Sequence, residues 1–222
     1  MERNSAIFKE IIPQVARHNP QGILLVITNP VDVLTYLTVK LSRRPPSRVI
    51  GAGTVLDSAR FRYLLSEHCG VDPRDVHAYI IGEHGDTEVP VWSLANISGV
   101  RLEEYCLVCA RGCTREEREE IFHEVRRAGS EIIGRKGATY YAIGLAARTI
   151  MESILCDQKS VLSVSSLLEG QYDLREVCLS LPSIVDRRGV ATILELPLSE
   201  LEIDRLRQSA RILQEAATSL GL

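Results

Sequence analysis

The chain has 222 residues, of which 45% are hydrophobic and 25% charged, so it can bury a core as one large domain or two small ones. Its 26 Lys and Arg residues against 29 Asp and Glu residues give a formal net charge of −3, which does not favour nucleic acid or an anionic membrane as a partner. The sequence has neither the roughly 20-residue apolar run of a membrane helix nor a signal peptide's apolar stretch, so we expect a cytoplasmic protein that binds small molecules.

In the first quarter of the chain, segments whose apolar residues have helical spacing alternate with short runs of continuous apolar residues. Residues 7–16 and 31–41 have helical spacing, whereas residues 22–27 and 48–51 are short continuous apolar runs. A continuous run is typical of a parallel strand that is buried on both faces. This alternation predicts an open α/β sheet, in which the polar segment 28–32 lies at the carboxyl end of a strand, where such sheets place their chemistry.

The rest of the chain predicts a mixture of helices and antiparallel strands. A helix over residues 56–69 is followed by a strand over 76–81 and a Gly-rich turn that carries His84. Thr114 and Ser199 each precede a Glu by three positions, as in a capping box. Further helices are predicted over residues 114–133, 139–155 and 199–221, and an antiparallel meander over 161–167, 176–185 and 190–194.

The six cysteines are too dispersed for a disulfide framework and fit a reducing compartment. Cys106, Cys109 and Cys113 have the spacing of half a metal site. A structural zinc needs a fourth ligand, and the nearest candidate, His123, falls in a predicted helix of charged residues. We therefore expect no metal and interpret the three thiols as part of a surface-helix stretch.

A dinucleotide-binding sheet ordinarily opens with a strand, Gly-x-Gly-x-x-Gly and a helix. The nearest match is Gly51-Ala52-Gly53-Thr54-Val55-Leu56, which has Leu in place of the third glycine and is interpreted as an ordinary tight turn. The predicted architecture is therefore α/β, with part of a parallel sheet in residues 1–53 and an α+β domain in residues 54–222.

His84 is the leading candidate for chemistry because Gly82 and Gly85 let the backbone bend sharply around it. Asp57 and Arg60 are three positions apart, so they share one face of a predicted helix and a carboxylate and a guanidinium can reach the same cleft. The alternative is a structural histidine, together with an Asp that favours the helix start and pairs locally with Arg60.

Three strings in order decide between these interpretations: residues 28–32 (Thr-Asn-Pro-Val-Asp), residues 49–62, and residues 79–86, which end in Gly-Glu-His-Gly-Asp. Together they resemble the L-lactate/malate dehydrogenase family, and its bacterial lactate-specific members in particular. The resemblance covers nearly the whole chain. It implies that residues 1–53 form the carboxyl-terminal part of a Rossmann NAD-binding domain and that residues 54–222 form the catalytic domain.

The resemblance also implies roles for individual residues in the interconversion of (S)-lactate and pyruvate. His84 would exchange a proton with the substrate oxygen, Asp57 would orient and stabilise its imidazolium, and Arg60 would bind the substrate carboxylate through two parallel hydrogen bonds. Asn29 would contact the substrate oxygen, and Thr139 would close the substrate pocket, although a helix N-cap is an equally good interpretation of Thr139 taken alone.

NAD is the implied cofactor, with Ile27, Thr28, Asn29 and Ala52 along its wall. Arg62 and His77 match positions that bind fructose 1,6-bisphosphate between subunits in allosteric relatives, although non-allosteric relatives can carry the same pair. The resemblance further implies a homotetramer for a full-length enzyme.

The sequence also departs from the family. The resemblance implies that the 222 residues start just after the mobile loop, so the loop arginine, the loop specificity residue and the Gly-rich phosphate turn have no match, and we expect the chain alone not to bind NAD in the family's manner. Glu83 and Thr139 favour lactate. Two alternatives stay open: a malate or other L-2-hydroxy-acid dehydrogenase, and an inactive fragment that retains oligomer surfaces.

Overall fold

The computed structural model describes residues 2–109 and 112–222. Its helices, numbered along the chain, are α1 (Glu2–His18), α2 (Val31–Ser42), α3 (Val55–Cys69), α4 (Leu102–Val108), α5 (Arg115–Lys136), α6 (Tyr141–Leu155) and α7 (Glu200–Ser219). Its strands are β1 (Leu24–Val26), β2 (Val49–Gly51), β3 (Val76–His77), β4 (Ile80–Ile81), β5 (Val89–Pro90), β6 (Asn96–Ile97), β7 (Val100–Arg101), β8 (Ser160–Glu169), β9 (Arg175–Asp186) and β10 (Gly189–Ile193). Among these helices, none is long and apolar enough to cross a membrane.

A five-stranded mixed sheet in the order β1-β2-β8-β9-β10 forms the centre of the molecule. Strands β1 and β2 are parallel, and β8, β9 and β10 form the antiparallel meander that the sequence predicts. The two parts meet through the antiparallel pair Gly51 and Ser165. The α/β prediction is therefore confirmed. The parallel strands and the meander belong to one continuous sheet.

The expectation that residues 22–27 are buried on both faces is wrong in part. Strand β1 covers only Leu24–Val26, and its first two residues are half-buried. The physical reason is position, because β1 lies at the edge of the five-stranded sheet and has a strand on one side only. Both faces of β1 still carry packing contacts, because Val26 packs in a core cluster with α2 and Leu25 packs against another that includes α6.

The predicted strand over residues 76–81 is divided into two. Strand β3 pairs with β6, whereas β4 pairs with β5, so the chain changes sheets between His77 and Ile80. Directly after β4, Gly82 exchanges two backbone hydrogen bonds with Ser180 of β9, at 2.8 and 2.9 Å. The turn that carries His84 is thereby fastened to the central sheet.

Both predicted capping boxes are present. Thr114 and Ser199 each accept a hydrogen bond from the backbone N–H three residues on, and the Glu at that position bonds back to the cap. Helix α6, in contrast, begins at Tyr141, and its N-cap residue is Tyr140. The interpretation of Thr139 as a helix N-cap is therefore wrong, and Thr139 lies in the connection before α6.

The cysteine-rich stretch differs from the surface helix that we predicted. Only Cys106 lies inside α4, where it is 9% exposed and packs into a core cluster with Phe61 and Leu65 of α3. Cys109 follows the helix, and Cys113 lies just before α5. No group of Cys, His, Asp or Glu in the described residues has the arrangement of a metal site.

Candidate active site

The first turn of α3 is joined by hydrogen bonds to the strand that leads to His84. The Thr54 hydroxyl donates to the carbonyl of Ile80 at 2.6 Å, and the N–H of Ile80 donates to the Ser58 hydroxyl at 2.9 Å. Both hydroxyls are buried. Asp57 lies between these two anchors in sequence, so the same bonds that fix α3 against β4 set the distance from Asp57 to the turn after β4.

The turn before α3 is shaped by packing. Gly53 has φ +52°, and a Cβ added there would lie 2.5 Å from the backbone nitrogen of Ser165 and the hydroxyl of Ser180. The Gly51-to-Leu56 segment is therefore filled from the meander side by neighbouring protein atoms. A side chain at Gly53 would clash with these atoms, which is the reason for glycine at this turn.

His84 and Asp57 form a direct hydrogen-bonded pair. The imidazole Nδ1 lies 2.6 Å from the Asp57 Oδ2, and the two side chains are 27% and 5% exposed. Nδ1 therefore donates its proton in a hydrogen bond to the Asp57 carboxylate. Nε2 is the ring nitrogen that is left to exchange a proton with a substrate. The pair has the geometry of a base held in one tautomer by a buried acid.

The surroundings favour the protonated form of this imidazole. Burial lowers the pKa of His84, but the hydrogen bond and charge of Asp57, with smaller contributions from Asp32 and Glu88, outweigh burial and raise the pKa from 6.5 to about 9. At neutral pH His84 is therefore an imidazolium that can donate its Nε2 proton.

Arg60 lies next to the same carboxylate. Its Nη1 is 3.4 Å from the Asp57 Oδ1, and its side chain is largely buried. The guanidinium also lines a cavity of about 500 Å³ together with Tyr63 of α3 and Arg127 of α5. Because the Asp57 contact is long and involves one nitrogen, the guanidinium keeps donors for an anionic ligand.

The sequence analysis gave no role to Asp32, although Asp32 ends the 28–32 string. Its Oδ2 accepts a hydrogen bond from the backbone N–H of His84 at 2.7 Å, which holds the His84 turn against the start of α2. Burial raises the pKa of Asp32 to about 6, against the lowering effects of the Ser165 side chain and the His84 backbone. The available signal was that Asp32 is the acidic residue of the polar segment 28–32, which follows the predicted strand.

Glu88 is a second residue that the sequence analysis missed. It is 6% exposed, its Oε1 has no hydrogen-bond partner among the described residues, and it lines a cavity of about 600 Å³ with Arg118 and Arg126. Burial, followed by the charge of Asp57, raises the pKa of Glu88 to about 8. Its only sequence signal was an acidic residue just before the buried strand β5.

Most of the residues that the resemblance assigns to the cofactor and the substrate oxygen are more exposed than Asp57 and Arg60. Ile27 is 41% exposed, and Thr28 and Asn29 are exposed as well. Thr139 is half-buried, while Ala52 is buried in a core cluster. In residues 2–109 and 112–222, no hydrogen bond or ion pair joins Asn29 or Thr139 to His84, Asp57 or Arg60.

Arg62 and His77 do come together. Both line a surface cavity of about 420 Å³, which also includes Arg74. Arg62 donates to the carbonyl of Ala78 at 3.4 Å, and burial lowers the pKa of its guanidinium. This cavity lies on the other side of α3 from the Arg60 cavity, as expected for residues two positions apart on a helix.

Comparison with known proteins matches both parts of the chain to one family. Residues 1–51 match the NAD-binding domain of lactate/malate dehydrogenases, and residues 54–220 match their α/β carboxyl-terminal domain. The L-lactate dehydrogenase of Thermoanaerobacterium saccharolyticum is 54% identical over 222 residues, which are the whole of this chain and 71% of that relative. L-lactate dehydrogenase 1 of Clostridium acetobutylicum is 50% identical over 220 residues, 99% of this chain and 70% of the relative.

A solved structure agrees with these matches. The minor L-lactate dehydrogenase of Enterococcus mundtii, in its ligand-bound form, superposes with a TM-score of 0.94 at 39% identity, covering 99% of this chain and 69% of that one. Together with the hydrogen-bonded His84–Asp57 pair, these findings confirm the family that the three strings indicated. The chain belongs to the lactate/malate dehydrogenase family.

Proposed function

We propose that this chain carries the acid/base and substrate-binding residues of an NAD-dependent L-lactate dehydrogenase, which interconverts (S)-lactate and pyruvate. The observation that carries the proposal is the 2.6 Å contact between His84 Nδ1 and Asp57 Oδ2, with the Arg60 guanidinium beside the same carboxylate. An acid/base and a carboxylate clamp in one place suit a 2-oxo acid, which presents a carbonyl oxygen next to a carboxylate.

The proton chemistry follows from this geometry. In pyruvate reduction, the His84 imidazolium donates its Nε2 proton to the carbonyl oxygen, and Asp57 holds the ring so that Nε2 points outward. In lactate oxidation, neutral His84 takes the hydroxyl proton, and the Asp57 carboxylate stabilises the imidazolium that forms. Arg60 fixes the substrate carboxylate and so orients the reacting carbon.

The residues present suit one end of NAD. Ile27, Thr28 and Asn29 are exposed at the carboxyl end of β1, where parallel α/β sheets hold their ligands. We assign these residues to the nicotinamide end, while Ala52 contributes only backbone because its methyl group is in the core. NAD supplies or accepts the hydride when it is bound.

The test compares the chain with a chimera in which the residues of the Thermoanaerobacterium relative outside the matched segment are joined to it. NADH oxidation is followed with pyruvate and, separately, with oxaloacetate. We expect the chimera to reduce pyruvate faster than oxaloacetate, and His84→Gln to lower that rate about 100-fold or more. A folded chimera without turnover, or a His84→Gln variant with full activity, would contradict the proposal.

The same assay separates the alternatives. Faster reduction of oxaloacetate would favour a malate dehydrogenase. Turnover by the chimera and none by the chain alone is the expected result, and association of the inactive chain with itself would identify it as a non-catalytic fragment that retains oligomer surfaces. In support of such surfaces, Ile7, Ile11 and Val15 form an exposed apolar stripe on α1 at helical spacing. We propose that this stripe contributes to a homotetramer, which light scattering of wild type and Ile11→Glu would test.

A second proposal concerns regulation. We propose that Arg62 and His77 bind a phosphorylated effector of the fructose 1,6-bisphosphate type, because both line one cavity with a third basic residue, Arg74. The expected result is activation of pyruvate reduction by the bisphosphate, lost in Arg62→Gln and retained in Arg17→Gln on α1. An activity that does not respond to the bisphosphate in the wild type would overturn it.

A further inference from the structure

The cavity that Glu88 lines is distinct from the cavity at Arg60, because the two share no lining residue. Its walls are one face of α5, one face of α7 and the segment 86–92, and we call it the α5–α7 cavity. Its volume of about 600 Å³ is in the range of sites that bind small organic molecules. The proton chemistry proposed above assigns no ligand to this cavity.

Two buried polar atoms in the walls of the α5–α7 cavity lack a hydrogen-bond partner in the part of the chain that the structure describes. They are Oε1 of Glu88 and Nε of Arg118. The Arg118 side chain is 23% exposed, and its Nη1 lies 3.3 Å from Oε1 of Glu103, an acid outside the cavity wall. Because a buried polar group without a partner is unfavourable, a ligand that bonds to Glu88 or Arg118 would gain free energy from these contacts.

The charges that line the α5–α7 cavity favour an anion. Arg115 and Glu119 form an ion pair at 3.0 Å, so their charges offset each other. Arg126 lies 3.8 Å from Asp86, whose side chain is 100% exposed, and such a pair is weak. Arg205 on α7 has no ion pair with any residue that the structure describes. The cavity therefore keeps positive charge that its own acids do not balance.

Glu88 does not add to the negative charge of the cavity at neutral pH. Burial, followed by the charge of Asp57, raises the pKa of Glu88 to about 8, against the charges of His84, Arg126 and Arg60, which lower it. A protonated carboxyl has an O–H to donate. A ligand carboxylate could accept this hydrogen bond, whereas a ligand cation would meet a neutral acid.

Aromatic rings alternate with guanidinium groups along the cavity wall. The Arg118 Cζ lies 5.8 Å from the centre of the Trp92 ring, and the Arg126 Cζ lies 5.7 Å from the centre of the Phe122 ring. Leu201 adds an apolar side chain from α7. Such a wall offers apolar surface to a ring and positive charge to an acid group on that ring.

We propose that the α5–α7 cavity binds a small aromatic carboxylate, with its ring against Trp92 and Phe122 and its carboxylate between Glu88, Arg118 and Arg205. The charge distinguishes this ligand from an aromatic cation, and the ring distinguishes it from inorganic phosphate. Because the α5–α7 cavity and the cavity at Arg60 share no residue, the ligand should bind independently of a 2-oxo acid.

The experiment uses the tryptophan fluorescence of the purified chain, because Trp92 is its only tryptophan and lines the cavity. The ligands added are benzoate, benzamide, benzamidine and inorganic phosphate, of which the first three share a ring and differ in charge. At pH 7 we expect a saturable change with benzoate, at least about tenfold weaker binding of the other three, and no displacement of benzoate by pyruvate. No saturable change with benzoate, tighter binding of benzamidine or phosphate, or displacement by pyruvate would overturn the proposal.

A pair of arginine variants tests the position of the ligand. Arg205→Gln should weaken benzoate binding about tenfold, because it removes the cation that has no partner in the described chain. Arg211→Gln, which changes an exposed arginine of α7 outside the cavity, should bind benzoate like the wild type. Circular dichroism checks that both variants are folded. Equal weakening in the two variants would show that only the general charge of α7 matters and would overturn the site.

A second variant tests the hydrogen bond from Glu88. Glu88→Gln keeps a donor, so its affinity for benzoate at pH 7 should stay within about threefold of the wild type. As the pH rises through about 8, Glu88 ionises and repels the ligand carboxylate, so wild-type affinity should fall about tenfold between pH 8 and 9.5 while that of Glu88→Gln falls less. Parallel pH profiles of the two proteins, or loss of binding in Glu88→Gln at pH 7, would overturn the role of Glu88 and with it the proposed site.

Discussion

The two sides of the proposed site are built differently. On the acid/base side, His84, Asp57 and Arg60 are held by each other and by buried hydroxyls of α3. On the side assigned to the cofactor and the substrate oxygen, Ile27, Thr28 and Asn29 project from the end of an edge strand. The acid/base side is therefore preorganised within this chain, whereas on the open side the described residues give a hydrogen bond to the Asn29 carbonyl and none to the side chains of Thr28 and Asn29.

The largest expected effect comes from breaking the enclosed side. Asp57→Asn keeps the shape but removes the charge that stabilises imidazolium, so pyruvate reduction in the active chimera should fall about 10²- to 10⁴-fold. The pKa of His84, followed by NMR of its ring protons, should fall from about 9. On the open side, Asn29→Ser should leave the free energy of unfolding within about 0.5 kcal/mol of the wild-type value.

An outcome in which Asp57→Asn and Asp32→Asn lower the rate equally would contradict this view of the enclosed side. Asp57 contacts the imidazole, whereas Asp32 contacts only the backbone N–H of His84. The two variants therefore separate support of the ring from support of the turn.

Arg60 lies at the border between the two sides. Arg60→Lys keeps a positive charge but loses the paired donors that match a carboxylate, so KM for pyruvate should rise about 10- to 100-fold with a smaller change in kcat. Arg62→Lys, two positions on and in the other cavity, is the control and should leave KM unchanged without effector. If both variants raise KM alike, Arg60 has no special place in substrate binding.

The sequence predicted one side of the proposed site better than the other. The three-residue spacing of Asp57 and Arg60 and the Gly-flanked His84 made these residues candidates, because helix geometry and local backbone freedom are read from neighbours in sequence, but only the resemblance to the family decided against a structural histidine and a local ion pair. The Asp32 contact spans 52 residues, and Glu88 lines a cavity with residues of α5 that are distant in sequence, so neither follows from local pattern. The edge position of β1 was missed for the same reason, because strand order is set by pairing between distant segments.

The pH dependence of the two directions sharpens the comparison without a mutation. Since the pKa of His84 is raised from 6.5 to about 9, pyruvate reduction should hold to about pH 9 and then fall tenfold per unit, whereas lactate oxidation should rise tenfold per unit up to about pH 9 and then level off. The stability that this ion pair adds is complete below pH 6.5 and is lost as the pH rises through about 9. Rate profiles that turn near pH 6.5 would show that Asp57 does not hold the proton on His84.

The smallest expected effect concerns Glu88, the acid on the enclosed side whose buried Oε1 has no hydrogen-bond partner within the part of the chain that the structure describes. Because burial raises its pKa to about 8, Glu88 carries a proton at pH 7, and the neutral variant Glu88→Gln should reduce pyruvate within about twofold of the wild type there. Above pH 8 the wild-type carboxyl ionises and helps to keep His84 protonated, which the variant cannot do. The falling limb of the reduction profile should therefore move to lower pH by less than about one unit in Glu88→Gln, a difference of severalfold in rate at pH 9. Glu119→Gln is the matched control, because Glu119 lines the same cavity but is exposed and paired with Arg115 at 3.0 Å. An equal shift in both variants would mean that the general field of the cavity, and not the proton on Glu88, sets the upper pH limit of the enclosed side.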